Sequence, residues 1–475
     1  MKQLLALALG PILAVSILLL PEPLFNLIMD KIFAASLWMV IWWITEAVSI
    51  SITALLPIVI FPLLGVGTIG QVTVHYANPI VFLFFGGFVI ALALEKVALH
   101  KRMALHILKL TGPKANGVIF GFMLATALLS MWISNTASTV VMLPMALSVY
   151  KLVKKKTQKN KKKLRRFAVS LMLGIAAAAN IGGMATLIGT PPNSVMLAFL
   201  NEQYQVDIGF FQWMTFGVPL SALLLAVAYW IIVRWAYPSG LGLLDSAHDI
   251  IEDELHALGP IKRKERTVLT LFLMTVLGWV VRGQINALWP DLSLTDTHIA
   301  MLGALALFVV PVQKGAKPCV LQWEDTAKLP WGILILFGGG LALANALAQG
   351  GFIDAIQAFI SQQDQWSPVL ILIALVTLVL FLTELMSNVA LVTVFLPVIA
   401  GIALGLDQPL MAMVIPVTLA SSCAFMLPMA TPPNAIVFAS GHVSVSQMVR
   451  SGFWLNLMSL IVILLTNYFL LPLIF

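Results

Sequence analysis

A chain of 475 residues that is 60% hydrophobic and only 10% charged, with a mean hydropathy of +0.99, lies outside the range of soluble globular domains and implies a polytopic membrane protein. Its net charge of +7 would suit a nucleic-acid partner, but ten of the 27 Lys and Arg fall between Lys151 and Arg166. Without them 17 basic residues face 20 acidic ones, so the basicity belongs to one segment and no nucleic-acid partner is expected.

In chain order, the first apolar run is Leu4 to Leu20. Lys2 precedes it as in a signal peptide, but Pro21-Glu22-Pro23 follows where a small-residue cleavage site would stand, so it reads as a retained span. Further spans are predicted near 33–49, 51–66, 79–95, 167–188, 212–233, 267–281, 297–312, 331–348, 411–429 and 452–474. Stretches 117–150 and 367–404 are each interrupted by a Ser-Asn element and read as re-entrant hairpins. The expected fold is all-α, with about 11 transmembrane helices and two hairpins. The run from Lys151 to Arg166 reads as a solvated cytoplasmic loop, because positive residues mark the inner side. With the N-terminus cytoplasmic, the basic clusters at Lys96–Lys114, Arg234–Arg266, Lys314–Lys328 and Arg450 also fall inside. Glu22, Asp30, Glu202, Asp207, Asp291, Asp354, Asp364 and Asp407 then lie outside, with Lys31 the exception and Phe475 also outside. A bacterial inner membrane is the expected location.

One phrase is written twice. Ser134-Asn135-Thr136 with Gly189-Thr190-Pro191-Pro192-Asn193 returns as Ser387-Asn388-Val389 with Ala430-Thr431-Pro432-Pro433-Asn434. Ser134 and Ser387 are 253 positions apart, as are Pro144 and Pro397, whereas Thr190 and Thr431 differ by 241; the basic segment after the first hairpin accounts for the missing 12. Five spans separate the hairpins, an odd number, so the repeats are inverted. Paired interruptions at matching places in two halves point to a transporter's binding site at the bilayer midplane.

The residue types fit two kinds of ligand. Pro192 and Pro433 remove donors and disfavour helical geometry before them, which frees carbonyls for a hard cation. Helix N-termini at the hairpin tips present amides and partial positive charge to a carboxylate. Ser130 and Ser134, four apart, are expected on one helix face, as are Thr383 and Ser387, with Asn135 and Asn388 adding amide oxygens. A lone Ser or Asn in a membrane helix more often packs against a neighbouring helix, and the duplication is what favours ligation.

Other residues carry less. Glu46, Glu95 and Glu384 lie in or beside apolar spans and are candidates as intramembrane ionisable groups, with Glu95 expected at the cytoplasmic edge; Glu46 and Glu384 can equally pair locally. His75, His100, His106 and His298 show no partner spacing, Cys319 and Cys423 suggest neither disulfide nor metal site, and Trp42-Trp43 fit an interfacial belt.

These residues resemble the divalent anion:sodium symporter family, the INDY-like di- and tricarboxylate carriers, over nearly the whole chain. The likeness includes Trp42-Trp43-Ile44-Thr45-Glu46-Ala47, Thr53-Ala54-Leu55-Leu56-Pro57, Leu94-Glu95-Lys96, both duplicated elements, and Trp323-Glu324-Asp325 leading to Leu336-Phe337-Gly338-Gly339-Gly340. The resemblance implies a homodimer working as an elevator. The scaffold domain would comprise 1–115 and 241–366, the latter with a linking helix, and the transport domain 116–240 and 367–475. It implies one sodium site from Ser130, Ser134, Asn135 and the Gly189 carbonyl, and a second from Thr383, the Met386 carbonyl, Asn388 and the Ala430 carbonyl. Asn135, Thr136, Asn388, Thr431 and Pro433 would face the substrate carboxylates, with Val389, Thr190 and Pro192 in the same site. Val389 departs from the Ser-Asn-Thr form and removes a hydroxyl.

The leading expectation is therefore a carrier, not an enzyme, that couples sodium entry to import of succinate, malate or fumarate. A sodium-independent dicarboxylate exchanger and a sulfate or tricarboxylate carrier are the alternatives. A membrane-embedded enzyme would need interfacial His, Asp or Cys clusters.

Overall fold

The computed structural model describes residues 2–156, 160–312, 318–363 and 365–475. Lys314, Asp364 and residues 157–159 of the basic run, all used in the topology reading, lie outside the described residues. Among the described residues the backbone is helical, and the only strand-like pairings are the isolated bridges Lys114 with Leu243 and Pro311 with Cys319.

Nine helices among the described residues are long and apolar enough to cross a membrane. Two of them, Asn135–Lys156 and Asn388–Gly405, are second arms of the hairpins. The other seven match seven of the eleven expected spans, and the remaining four correspond to shorter apolar helices, Leu4–Leu18, Ile50–Leu63, Asp296–Val309 and Leu410–Ser421. Length alone does not define these four as spans.

Both hairpins form. The first pairs Ala115–Ser130 with Asn135–Lys156; in the second, Pro368–Leu382 and Asn388–Gly405 are joined by a short turn and both pack on Leu410–Ser421. Each is followed by a helix in two pieces: Lys161–Gly183 then Pro191–Tyr204, and Leu410–Ser421 then Pro432–Ala439. Thr190 and Thr431 stand in extended geometry as N-caps, and the prolines after them occupy the first helical turn, where a missing N–H costs nothing. Thr-Pro-Pro-Asn thus starts the second piece; the break itself lies in the preceding residues, 184–190 and 422–431.

The halves interlock. Helix Pro432–Ala439 packs against Lys161–Gly183 and Asn135–Lys156, while Pro191–Tyr204 packs against Asn388–Gly405 and Leu410–Ser421. Close approach is needed along the first hairpin: a Cβ on Gly182 would fall 2.5 Å from the Ala127 Cα. Elsewhere Pro79–Lys96 packs on Asp296–Val309, and the amphipathic helix Leu99–Leu110 is tied to Asp245–Leu258 by Lys101 to Glu254 at 2.7 Å and Lys109 to Glu252 at 2.9 Å.

Three expectations need correction. The run from Lys151 to Arg166 is not an open loop: helix continues to Lys156 and resumes at Lys161, so most of its charges sit on helix ends. Trp43 is fully buried within the protein rather than exposed as a belt residue would be, and its indole N–H donates to the Ile50 carbonyl at 3.1 Å. His75 has a partner that local spacing cannot show, Glu202, which also accepts from the Asn78 amide at 3.0 Å.

Candidate cation and anion site

Ser130 ends the first hairpin arm, and its Oγ lies 2.6 Å from Asn135 Oδ1 and 2.7 Å from the Ala179 carbonyl oxygen. Thr383 follows the last residue of the matching arm, and its Oγ1 lies 2.7 Å from Asn388 Oδ1 and 2.5 Å from the Ser421 carbonyl oxygen. A hydroxyl carries one proton, so in each cluster three oxygens meet around a single hydrogen and one acceptor goes without it. Both hydroxyls are fully buried. A buried surplus of oxygen lone pairs is the donor chemistry of a hard cation.

Gly189 joins the first cluster. A Cβ built on Gly183 would stand 2.5 Å from Asn135 Oδ1 and 3.1 Å from the Gly189 carbonyl oxygen, so both oxygens face the same bare Cα. Ser134 is placed differently from expectation. The helix ends at Ser130, so Ser130 and Ser134 share no helix face, and the same holds for Thr383 and Ser387. Ser134 Oγ instead accepts from the Ala137 amide at 3.2 Å and caps the second arm. Met386 and Ala430 both lie in non-helical backbone, in the hairpin turn and the second break.

The expected substrate residues gather at the starts of four helices. Asn135 and Thr136 open one arm and Asn388 and Val389 the other, with Thr136 half-buried and Val389 buried. Thr190 and Thr431 cap the broken-helix pieces, and Pro192 and Pro433 are buried in their first turns. Thr431 Oγ1 accepts from Asn180 Nδ2 at 3.1 Å, and the same nitrogen donates to the Ala424 carbonyl at 3.0 Å. One side chain of the first half thereby holds the second.

Exposed peptide groups inside a bilayer cost several kcal/mol each unless partnered, and side chains partner several of those in the breaks. Asn193 Nδ2 donates to the carbonyls of Thr186 at 3.0 Å and Met184 at 3.4 Å; Asn434 Nδ2 donates to Leu427 at 3.0 Å and Ala424 at 3.1 Å. Thr186 Oγ1 donates to the Met131 carbonyl at 2.6 Å and accepts from the Gly189 amide at 3.1 Å. Trp213 Nε1 donates to Met184 and Ser221 Oγ to Ile181. Sequence reading assigned no role to Asn193, Asn434, Asn180 or Gly183. The first two stood inside the repeated phrase and so were discoverable. Asn180 was not, because in the register of that phrase its counterpart is Ser421.

A membrane-embedded helical fold with twin broken elements and matched oxygen clusters defines a secondary carrier. The chain belongs to the family described as the sodium:sulfate symporter transmembrane region, whose model matches residues 1–474, and so to the divalent anion:sodium symporters. It is 38% identical over 478 residues to a sodium-dependent dicarboxylate transporter, SdcS, of Staphylococcus saprophyticus, covering 99% of this chain and 92% of that protein. The SdcS of Staphylococcus aureus is 39% identical over 479 residues with the same coverage. In fold the chain is similar to Neisseria gonorrhoeae MtrF, with a TM-score of 0.56 over 97% of this chain and 94% of that one at 12% identity.

Proposed function

We propose that this protein couples the entry of sodium ions to the import of C4-dicarboxylates such as succinate, malate and fumarate. It is an integral membrane carrier, not an enzyme. The observation that carries the reading is the repetition, in both halves, of one hydroxyl, one Asn oxygen and one helix carbonyl within 2.5–2.7 Å contacts. Packing alone gives no reason for the same surplus of acceptors twice. The relatives named for sodium-dependent dicarboxylate transport support the choice of cation and substrate.

In this reading one sodium ion sits with Ser130, Asn135 and the Gly189 carbonyl, and Ser134 shapes that site from its capping position. A second sits with Thr383, Asn388 and the carbonyls of Met386 and Ala430. Each ion orders a hairpin tip, and the helix starts at Asn135 and Asn388 then offer amides to the two carboxylates, with Thr136, Val389, Thr190, Thr431, Pro192 and Pro433 around them. Sodium therefore binds first. Residues 116–240 and 367–475 move as a transport domain against a scaffold of 1–115 and 241–366, in a homodimer of the bacterial inner membrane with the N-terminus cytoplasmic.

Radiolabelled succinate uptake into proteoliposomes under an imposed sodium gradient tests this, with sulfate and citrate as competitors. Uptake that needs sodium and is displaced by malate and fumarate is expected. Sodium-independent counterflow, or displacement by sulfate or citrate alone, refutes it in favour of an exchanger or of a sulfate or tricarboxylate carrier.

A further inference from the structure

Glu384 is 3% exposed, stands next to Thr383, and has no part in the ligand sets above. Its Oε1 accepts from the amides of Phe425 at 2.8 Å and Met426 at 2.9 Å and from Asn456 Nδ2 at 2.9 Å; its Oε2 accepts from Met426 at 3.1 Å and Leu427 at 3.0 Å. Three of these partners are backbone amides, which can only donate, so the pocket favours a carboxylate; Asn456 also carries Oδ1, which among the described residues is buried without a hydrogen-bond partner. Among the described residues no Lys, Arg or His forms an ion pair with it. A buried carboxylate with no cationic side chain is expensive unless another positive charge is near. The first half differs: Met131 occupies the position matched to Glu384, and the neutral Thr186 hydroxyl bonds the Met131 carbonyl and braces the break.

We propose that Glu384 is the positioning residue of the second cation site. Its carboxylate clamps residues 425–427, which sets the path of the break toward Ala430, and its charge is balanced by the ion that Thr383 and Asn388 hold. The second site is then the one whose occupancy depends on a fixed negative charge, and the first site is not. This rests on the sodium-coupled reading.

The test is sodium activation of succinate uptake in proteoliposomes for wild type, Glu384→Gln, Glu384→Asp, Asn456→Ala and Thr383→Ala. Glu384→Gln should raise the half-activating sodium concentration about tenfold or more and lower the Hill coefficient, while the succinate KM at saturating sodium stays near wild type. Glu384→Asp, which keeps the charge, should recover most of the sodium affinity. Asn456→Ala removes one donor at a distance from the ion, and it keeps the proposal testable if Glu384→Gln does not fold; it should shift sodium activation in the same direction by a few-fold. If Thr383→Ala weakens sodium activation and neither Glu384→Gln nor Asn456→Ala does, the proposal is overturned and the site reading stands. If Thr383→Ala also leaves sodium activation unchanged, the second site itself is wrong. An equal loss in sodium and succinate affinity that Asp does not rescue also overturns the proposal, because it marks a purely structural brace.

Discussion

Replacing Gly183 with alanine adds one methyl group at the point where the first cation cluster converges. The new Cβ would lie 2.5 Å from Asn135 Oδ1 and 3.1 Å from the Gly189 carbonyl oxygen, so restoring a 3.0 Å contact requires Asn135 to retreat by 0.5 Å. That retreat is opposed on both sides. Asn135 Oδ1 is held by Ser130 Oγ at 2.6 Å, and the Gly189 backbone is held by Thr186 Oγ1 at 3.1 Å. Overpacking of a tight interior costs about 1–3 kcal/mol. Where that cost falls on the ion-bound arrangement, sodium affinity weakens by roughly 5- to 150-fold. The assay is the sodium-dependent rise in thermal midpoint of the purified protein, which follows the ratio of ligand concentration to Kd, together with sodium activation of uptake. Gly283→Ala, in helix Arg263–Leu288 with nothing within 4 Å of its added Cβ, is the control. The sodium-dependent rise should shrink in Gly183→Ala and persist in Gly283→Ala. An undiminished rise in Gly183→Ala would show that Asn135 and Gly189 do not form an ion site.

Moving two negative charges inward against 100 mV costs about 4.6 kcal/mol, which two sodium ions cancel. Uptake under a fixed sodium gradient should therefore be indifferent to a potassium diffusion potential if two ions accompany a dianion, and stimulated by inside-negative voltage if three do; inhibition would refute the two-site reading. Single cysteines placed in the run from Lys151 to Arg166 and near Phe475 should label from opposite faces with an impermeant maleimide, and labelling from one face would remove the inverted-repeat argument. Burial pushes the Asp325 carboxyl up, but Lys96 Nζ at 2.5 Å, the Gln322 amide at 2.7 Å and nearby Lys328 outweigh it and hold Asp325 below its ordinary value. A depressed carboxylate contributes stability above its unfolded pKa, about 3.9, that is lost as pH falls through the folded value. The loss of thermal stability on acidification below about pH 4 should accordingly be smaller in Asp325→Asn than in wild type; an equal loss would show that the Lys96 pair is uncoupled from folding.

Residue order alone determined the membrane class, both hairpins and the register of the two halves, because these are encoded locally: apolar runs, a charge cluster, and a phrase repeated at nearly constant spacing. It also marked Ser130, Asn135, Thr383 and Asn388 as oxygen donors, since duplication of rare polar residues in apolar sequence survives divergence. It misplaced Ser134. A spacing of four implies a shared helix face only while the helix continues, and here the helix stops at Ser130. What only tertiary structure decided is how the breaks are held. The Ala179 and Ser421 carbonyls become ligand candidates because a hairpin hydroxyl crosses to them, and Asn180 matters because it reaches Thr431 in the other half. Glu384 was visible as an intramembrane acid, but its partners lie 41 to 72 positions away. Backbone amides and carbonyls are the same at every position, so a site built largely from them leaves little trace in residue identity, and only the fold shows which peptide groups are free and what they face.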